Sequence, residues 1–293
     1  MIKIQNDNLR VQIDPHGAQM HSIKLRNSSS EYLWQGNSNF WDRQAPILFP
    51  FVGRLKDDQY EFAGKIYHQT QHGFARDSDF TVVAQSADAV TFRLQDNVQT
   101  LLAYPFKFTL DVQYKLIKQT IQVSYKVTNP DQNQDLLYSI GAHPGFHIPL
   151  EHDHFEDYQL VMRPAKKYQL SKLVGSYNDL GTVNNDPLDF SKARAVNHQL
   201  FKDDVLTLVT QGEPVLIKLW NPENKHGIQL GAKDAQFVGL WSSYPAKGDF
   251  VCIEPWWGIA DNVNTDGQLI HKQGIHSLDA HQSANYQFVI EIF

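Results

Sequence analysis

Alternation of apolar and polar residues with a period of two constrains this chain more than any other feature. From Phe108 through Leu110, Val112, Tyr114 and Leu116 every even position is apolar, and Thr109, Asp111, Gln113 and Lys115 between them are polar. Successive side chains of a strand point to opposite faces, so this run predicts a strand with one core face and one wet face. After Lys118-Gln119 the apolar positions become odd, at Ile121, Val123, Tyr125 and Val127, which predicts a long antiparallel hairpin. The same pattern recurs at Leu9, Val11 and Ile13, at Val90, Phe92 and Leu94, at Val215, Ile217 and Leu219, and at Tyr286, Phe288, Ile290 and Ile292. Residues 61 to 67 predict a second hairpin turning at Gly64.

Helical signals are few. The best runs from Asp96, as cap, through Val98, Leu101 and Leu102 to a stop at Pro105, and one or two short helices are expected. No Ser/Gly linker, charge block or fixed-period repeat divides the chain, and Ser171 to Asn197 reads as a polar, loop-like middle. With too few helices to cover sheet faces, the expected fold is all-β: one domain over residues 1–293, built as a large antiparallel β-sandwich.

Composition narrows the function classes. The single cysteine, Cys252, cannot form an intrachain disulfide or a thiolate zinc finger, so a reducing compartment, the cytoplasm, is expected. The first residues turn polar by Gln5, and the longest uncharged apolar run, Ala45 to Gly53, is far below the roughly 20 residues of a membrane span, so neither secretion nor a membrane partner is expected. A net charge of -6 with scattered Lys and Arg offers no basic stripe, which argues against nucleic acid as a partner. Six Trp and twelve Tyr supply flat apolar faces of the kind that stack on sugar rings.

Four segments break the alternation. Pro46 to Arg54 is an apolar run ending in an arginine presented after Gly53, whose fixed donors suit hydroxyls or carboxylates. Gln71-His72-Gly73-Phe74-Ala75-Arg76 sets a histidine and an arginine at a strand end. In Ser139 to His147, His143 and His147 stand at helical metal-pair spacing, but Pro144 between them disfavours a helix; His143 suits a general acid or base instead. In Val251 to Gly258 a carboxylate, Glu254, ends an apolar strand ahead of Trp256 and Trp257, so it needs a partner, a raised pKa or a task. Residues 152 to 156, His-Asp-His-Phe-Glu, carry metal-ligand types in a segment that reads as a solvated loop. There is no Gly-rich phosphate loop and no Gly-x-Ser-x-Gly elbow.

In this order the four segments resemble the aldose 1-epimerase family, the galactose mutarotase-like proteins: Pro-Phe-Val-Gly-Arg ending at Arg54, His-Gly-Phe-Ala-Arg ending at Arg76, Ala-His-Pro-Gly-Phe at 142 to 146, and Cys-Ile-Glu-Pro-Trp-Trp-Gly at 252 to 258. The resemblance implies a β-supersandwich and interconversion of the α and β anomers of a hexose, with no cofactor and no metal. It implies Glu254 as the base that takes the C1 hydroxyl proton and His143 as the acid that protonates the ring oxygen; because a reversible exchange needs an acid and a base of comparable proton affinity, ionised Glu254 and protonated His143 are the expected starting pair. It implies His72 and Arg54 as substrate-binding groups and, in Phe201 to Asp204, Asp204 as the substrate-binding aspartate. Gly145 and the Trp256-Trp257 pair depart from the better-known galactose mutarotases, and Trp256 stands as a residue that stacks on the sugar or packs in the core. Arg76 resembles the branch acting on hexose 6-phosphates, so the partner is a small sugar, either free hexose or hexose phosphate. Two other readings compete: a glycosidase with Asp261 as second carboxylate, and a carbohydrate-binding or sensing protein on the same fold, which would not need a matched Glu and His.

Overall fold

The structure, a computed structural model, describes residues 1–179 and 186–293. Among these residues two large antiparallel sheets dominate. One has nine strands, and its centre is the long hairpin of Thr109–Ile117 and Thr120–Thr128 flanked by Ser283–Ile292. Lys118 takes positive φ in the two-residue turn, and the register pairs Ile121 with Leu116 and Val123 with Tyr114. The other sheet, of eight strands, centres on Phe237–Trp241 and Phe250–Trp257, with Ile140–Ala142, Gly145–His147 and Ile47–Leu48 at one side. Leu110, Val112, Ile121 and Ile290 from the first sheet and Leu240, Val251 and Ile253 from the second share one buried apolar core. At roughly 25 cal/mol per Å² of apolar surface removed from water, that shared face is what holds the layers together.

Each alternating run is a strand with its apolar face buried, and residues 61 to 67 lie in the hairpin of Gln59–Phe62 and Lys65–His68, which turns through Ala63 and Gly64. Two local expectations need correction. The helix is Val98–Ala103, and its cap is Asn97, not Asp96: the Asn97 side chain accepts from the Thr100 amide at 2.9 Å, while the Asp96 carboxylate accepts from the Phe108 amide. Val98 and Leu102 face solvent. The middle segment is also more ordered than its polarity predicts, forming strands Leu170–Val174 and Tyr177–Asp179 about a turn at Gly175. Such strands are too short for alternation to register, and Asn178 is held by donating to Ala260 O and Asp261 O. Residues 180–185 of that segment lie outside the described residues.

Candidate active site

The strand Phe250–Trp257 shows how one period-two pattern serves two purposes. Val251, Ile253 and Trp257 turn into the main core, whereas Phe250, Cys252, Glu254 and Trp256 lie on the opposite face. Trp257 packs on Tyr286 at 5.2 Å and takes no part in the cleft, while Trp256 lines it. A Cβ on Gly239 or Gly141, on the two neighbouring strands, would come within 2.8 and 2.9 Å of the Trp256 indole, so both glycines leave the space this ring occupies.

On that face opens a cleft of about 320 Å³, the lower end of the size range for small-molecule sites. All seven residues singled out above line it: Arg54, His72, Arg76, His143, Asp204, Glu254 and Trp256. They arrive from separated parts of the chain. Gly53 fixes the first arm: its φ is +75°, and a Cβ would sit 2.5 Å from Ala260. The Gly53 amide donates to His72 Nδ1 at 3.0 Å, and the His72 amide donates to Gly53 O at 2.9 Å. Because Nδ1 accepts, the His72 proton resides on Nε2, leaving that nitrogen a donor. Burial, then the neighbouring His143 and three arginines, hold His72 well below the usual histidine range, so it stays neutral.

His143 follows strand Ile140–Ala142 and is anchored by its amide to Pro46 O. Its Nε2 lies 3.2 Å from Glu254 Oε2 in the wall of the cleft, with the side chains 11% and 1% exposed. Neither Glu254 oxygen nor His143 Nδ1 has a formed hydrogen bond. Burial, reinforced by the negative Asp204, raises the Glu254 pKa well above its ordinary value, with the Trp256 indole pulling the other way. Burial, with Arg76 and Arg43 nearby, lowers His143 to about 3. These directions correct the expected starting state. The pair is favoured as a neutral carboxyl and a neutral imidazole with one transferable proton, because two separated charges would both be desolvated.

Sequence reasoning missed Trp41, Trp241 and Arg43. Trp41 stacks on the His143 ring at 4.8 Å and Trp241 meets it edge-on at 5.8 Å, so the imidazole is held in an aromatic box. The departure at Gly145 has its reason here: a Cβ there would come within 2.8 Å of the Trp41 ring. Arg43 Nη1 and Arg76 Nε approach the two oxygens of Asp77, at 2.9 and 3.5 Å, and Arg54 Nη1 donates to Asp58 at 3.1 Å. The only sequence signal for these residues was the aromatic cluster Trp34, Phe40 and Trp41, because loops carry no periodicity. Asp204, at φ 73°, stands at the exposed rim with its carboxylate accepting from the Val205 amide; Asp203 does not line the cleft.

The residues of the two competing sites do not line the cleft. Within the His-Asp-His-Phe-Glu run, Asp153 accepts from His226 and Asn224, and the His154 amide donates to Asp157. Asp261 is bound by Lys272 Nζ at 2.8 Å and by the Lys56 amide at 2.9 Å. Among the described residues one group has metal-ligand convergence: His143, Cys252 and Glu254, with ligand atoms within 4.8 Å of one another.

The family model described as Aldose 1-epimerase matches residues 1–283. Protein LacX (plasmid) of Lactococcus lactis subsp. lactis is 32% identical over 279 residues, covering 92% of this chain and 91% of that protein. Among solved structures, a galactose mutarotase related enzyme from Lactobacillus acidophilus superposes with a TM-score of 0.96 at 37% identity, covering 100% of this chain and 97% of the other. A galactose mutarotase-like protein from Lactobacillus casei gives a TM-score of 0.88 at 31% identity, with both chains fully covered.

Proposed function

We propose that this chain, which belongs to the aldose 1-epimerase family, interconverts the α and β anomers of a hexose by opening and reclosing the ring. The observation that carries this reading is the 3.2 Å approach of His143 Nε2 to Glu254 Oε2 in the wall of a sugar-sized cleft. The two oxygens that exchange protons in anomerisation share one carbon, so the acid and the base must stand nearly in contact, as these two do. When the C1 hydroxyl donates to a Glu254 oxygen, the carboxylate gains a hydrogen bond that favours its charged form, and the carboxyl proton moves to His143. Glu254 then removes the hydroxyl proton while His143 protonates the ring oxygen, the C1–O bond opens, and rotation about C1–C2 presents the other carbonyl face. Reversal of both transfers closes the opposite anomer. His72 Nε2–H and the Arg54 guanidinium are donors for the opening sugar, Asp204 an acceptor at the rim, and Trp256 a flat face for the ring.

The test follows the optical rotation of freshly dissolved α-galactose and α-glucose. The wild type should speed equilibration, and Glu254→Gln or His143→Asn should slow turnover by about 10² to 10⁴ while remaining folded. A folded, fully active Glu254→Gln protein would remove the mechanism.

A second substrate reading is favoured by one observation. Arg43, Arg54 and Arg76 line the same cleft, the buried Nε of Arg54 makes no hydrogen bond, and that of Arg76 has only the 3.5 Å approach to Asp77. A sugar phosphate would supply acceptors, and the signature would be rapid mutarotation of hexose 6-phosphates that weakens with salt, with little effect on free hexose.

A further inference from the structure

The mechanism leaves Cys252 without a task, yet its position two residues before Glu254 on one strand puts both side chains on the same face as His143. The thiol is fully buried, and Cys252 is the only cysteine in the chain. Its sulfur, a His143 ring nitrogen and a Glu254 oxygen lie within 4.8 Å of one another. Both Glu254 oxygens are buried without a formed hydrogen bond, and the one close approach, His143 Nε2 at 3.2 Å from Oε2, is to another member of the cluster, so the carboxylate has unfilled acceptor capacity. From these residues we infer that Cys252, His143 and Glu254 form a latent site for a borderline-soft divalent cation of the Zn²⁺ type, and that filling it switches off the cleft.

The donor set selects the cation. Sulfur, imidazole nitrogen and one carboxylate oxygen are the ligands of zinc and its close relatives, whereas Mg²⁺ and Ca²⁺ demand oxygen cages. Binding releases the thiol proton and the carboxyl proton to solvent. A dipositive ion then meets one thiolate, one carboxylate and a neutral imidazole, so the complex carries no net charge, the state that a desolvated pocket tolerates best. Tetrahedral zinc sets its ligand atoms roughly 3.3 to 3.7 Å apart, so about an ångström of side-chain rotation closes the site. His143 and Glu254 line the cleft, which gives the ion its way in, while Cys252 lies behind them. Inhibition follows because the ion takes the lone pairs that Glu254 and His143 use for proton transfer; this half of the inference rests on the proposed mutarotase reading.

The experiment titrates the purified, reduced protein with Co²⁺ as a spectroscopic stand-in, then displaces it with Zn²⁺. A thiolate-to-cobalt charge-transfer band in the near ultraviolet, saturating at one equivalent, is expected. With one cysteine in the chain, the band can only report Cys252. Cys252→Ala should abolish the band and weaken Zn²⁺ binding at least tenfold while mutarotation continues, and His143→Asn should weaken it similarly. Absence of the band in the wild type overturns the site, and that outcome needs no variant to fold. Persistence of mutarotation at saturating Zn²⁺ in a protein that shows the band overturns the switch. The band in a protein with no mutarotase activity upholds the site and overturns the proposed function instead.

Discussion

At the scale of the residue, the informative quantity is the cost of keeping Glu254 buried without a hydrogen bond. Its pKa is raised in the folded protein, so its carboxyl is fully accommodated below the unfolded value, and stability is lost as pH rises through the folded value. Gln does not titrate. Glu254→Gln should therefore match the wild type in Tm near pH 4.5 and exceed it increasingly toward pH 8, which thermal scans across pH would read. A Tm difference independent of pH would mean that Glu254 is not held protonated by burial. The partner behaves oppositely: His143 is lowered to about 3, so falling pH does not protonate it at the usual point. The acid limb of kcat/KM should accordingly lie well below pH 6.5, because only beneath it do both groups carry protons and the base vanish. A limb near 6.5 would identify an ordinary, solvated histidine as the rate-controlling base.

At the scale of the element, the cleft depends on how one turn is pinned beneath it. Gly258 to Asp261 carries Ile259 and Ala260 into the cleft wall, and the buried Lys272 ties it down by donating to Ile259 O and to Asp261 Oδ1, both at 2.8 Å. The Asp261 amide in turn donates to Arg54 O, so the same pin sets the backbone that presents Arg54. Removing one member of a buried pair strands the other charge, at a cost of about 3 to 5 kcal/mol. Asp261→Asn should lower Tm by roughly 5 to 15 °C and raise KM, while kcat falls less than tenfold. A loss of kcat by 10³ or more with Tm unchanged would instead make Asp261 a reacting carboxylate, as a glycosidase requires. Nothing in the local sequence marks this pin, since Lys272 reads as an ordinary surface lysine and its partner stands eleven residues away.

At the scale of the whole molecule, periodicity made the strands legible but not their order. Alternation identified both faces of Thr109–Ile117, Thr120–Thr128 and Ser283–Ile292, because burying one face imposes a pattern of two on any strand. Which strand pairs with which is a long-range outcome that no local window contains, and the loops that bring Trp41 and Arg43 to the cleft have no period at all. The site was legible where chemistry forced an exception, as at Glu254, and illegible where a side chain only supports another, as at Trp41. Pairing order has a testable consequence at the chain ends. Ser283–Ile292 sits inside the nine-stranded sheet, bonded to Thr120–Thr128 on one side and Gly227–Ala232 on the other, with Phe288, Ile290 and Ile292 buried. Deleting residues 283–293 removes three core side chains, at about 2 to 5 kcal/mol each, and unpairs two inner edges. Even before the lost pairing is counted, that is comparable to the whole 5 to 15 kcal/mol by which a domain is typically stable, so the shortened chain should show no cooperative thermal transition. Ile2–Gln5, by contrast, is an outer strand paired only with Leu9–Asp14 and burying only Ile4. Deleting residues 1–5 should leave a cooperative transition lowered by several degrees. If the two truncations melt alike, the last strand is not the structural centre that its pairing implies.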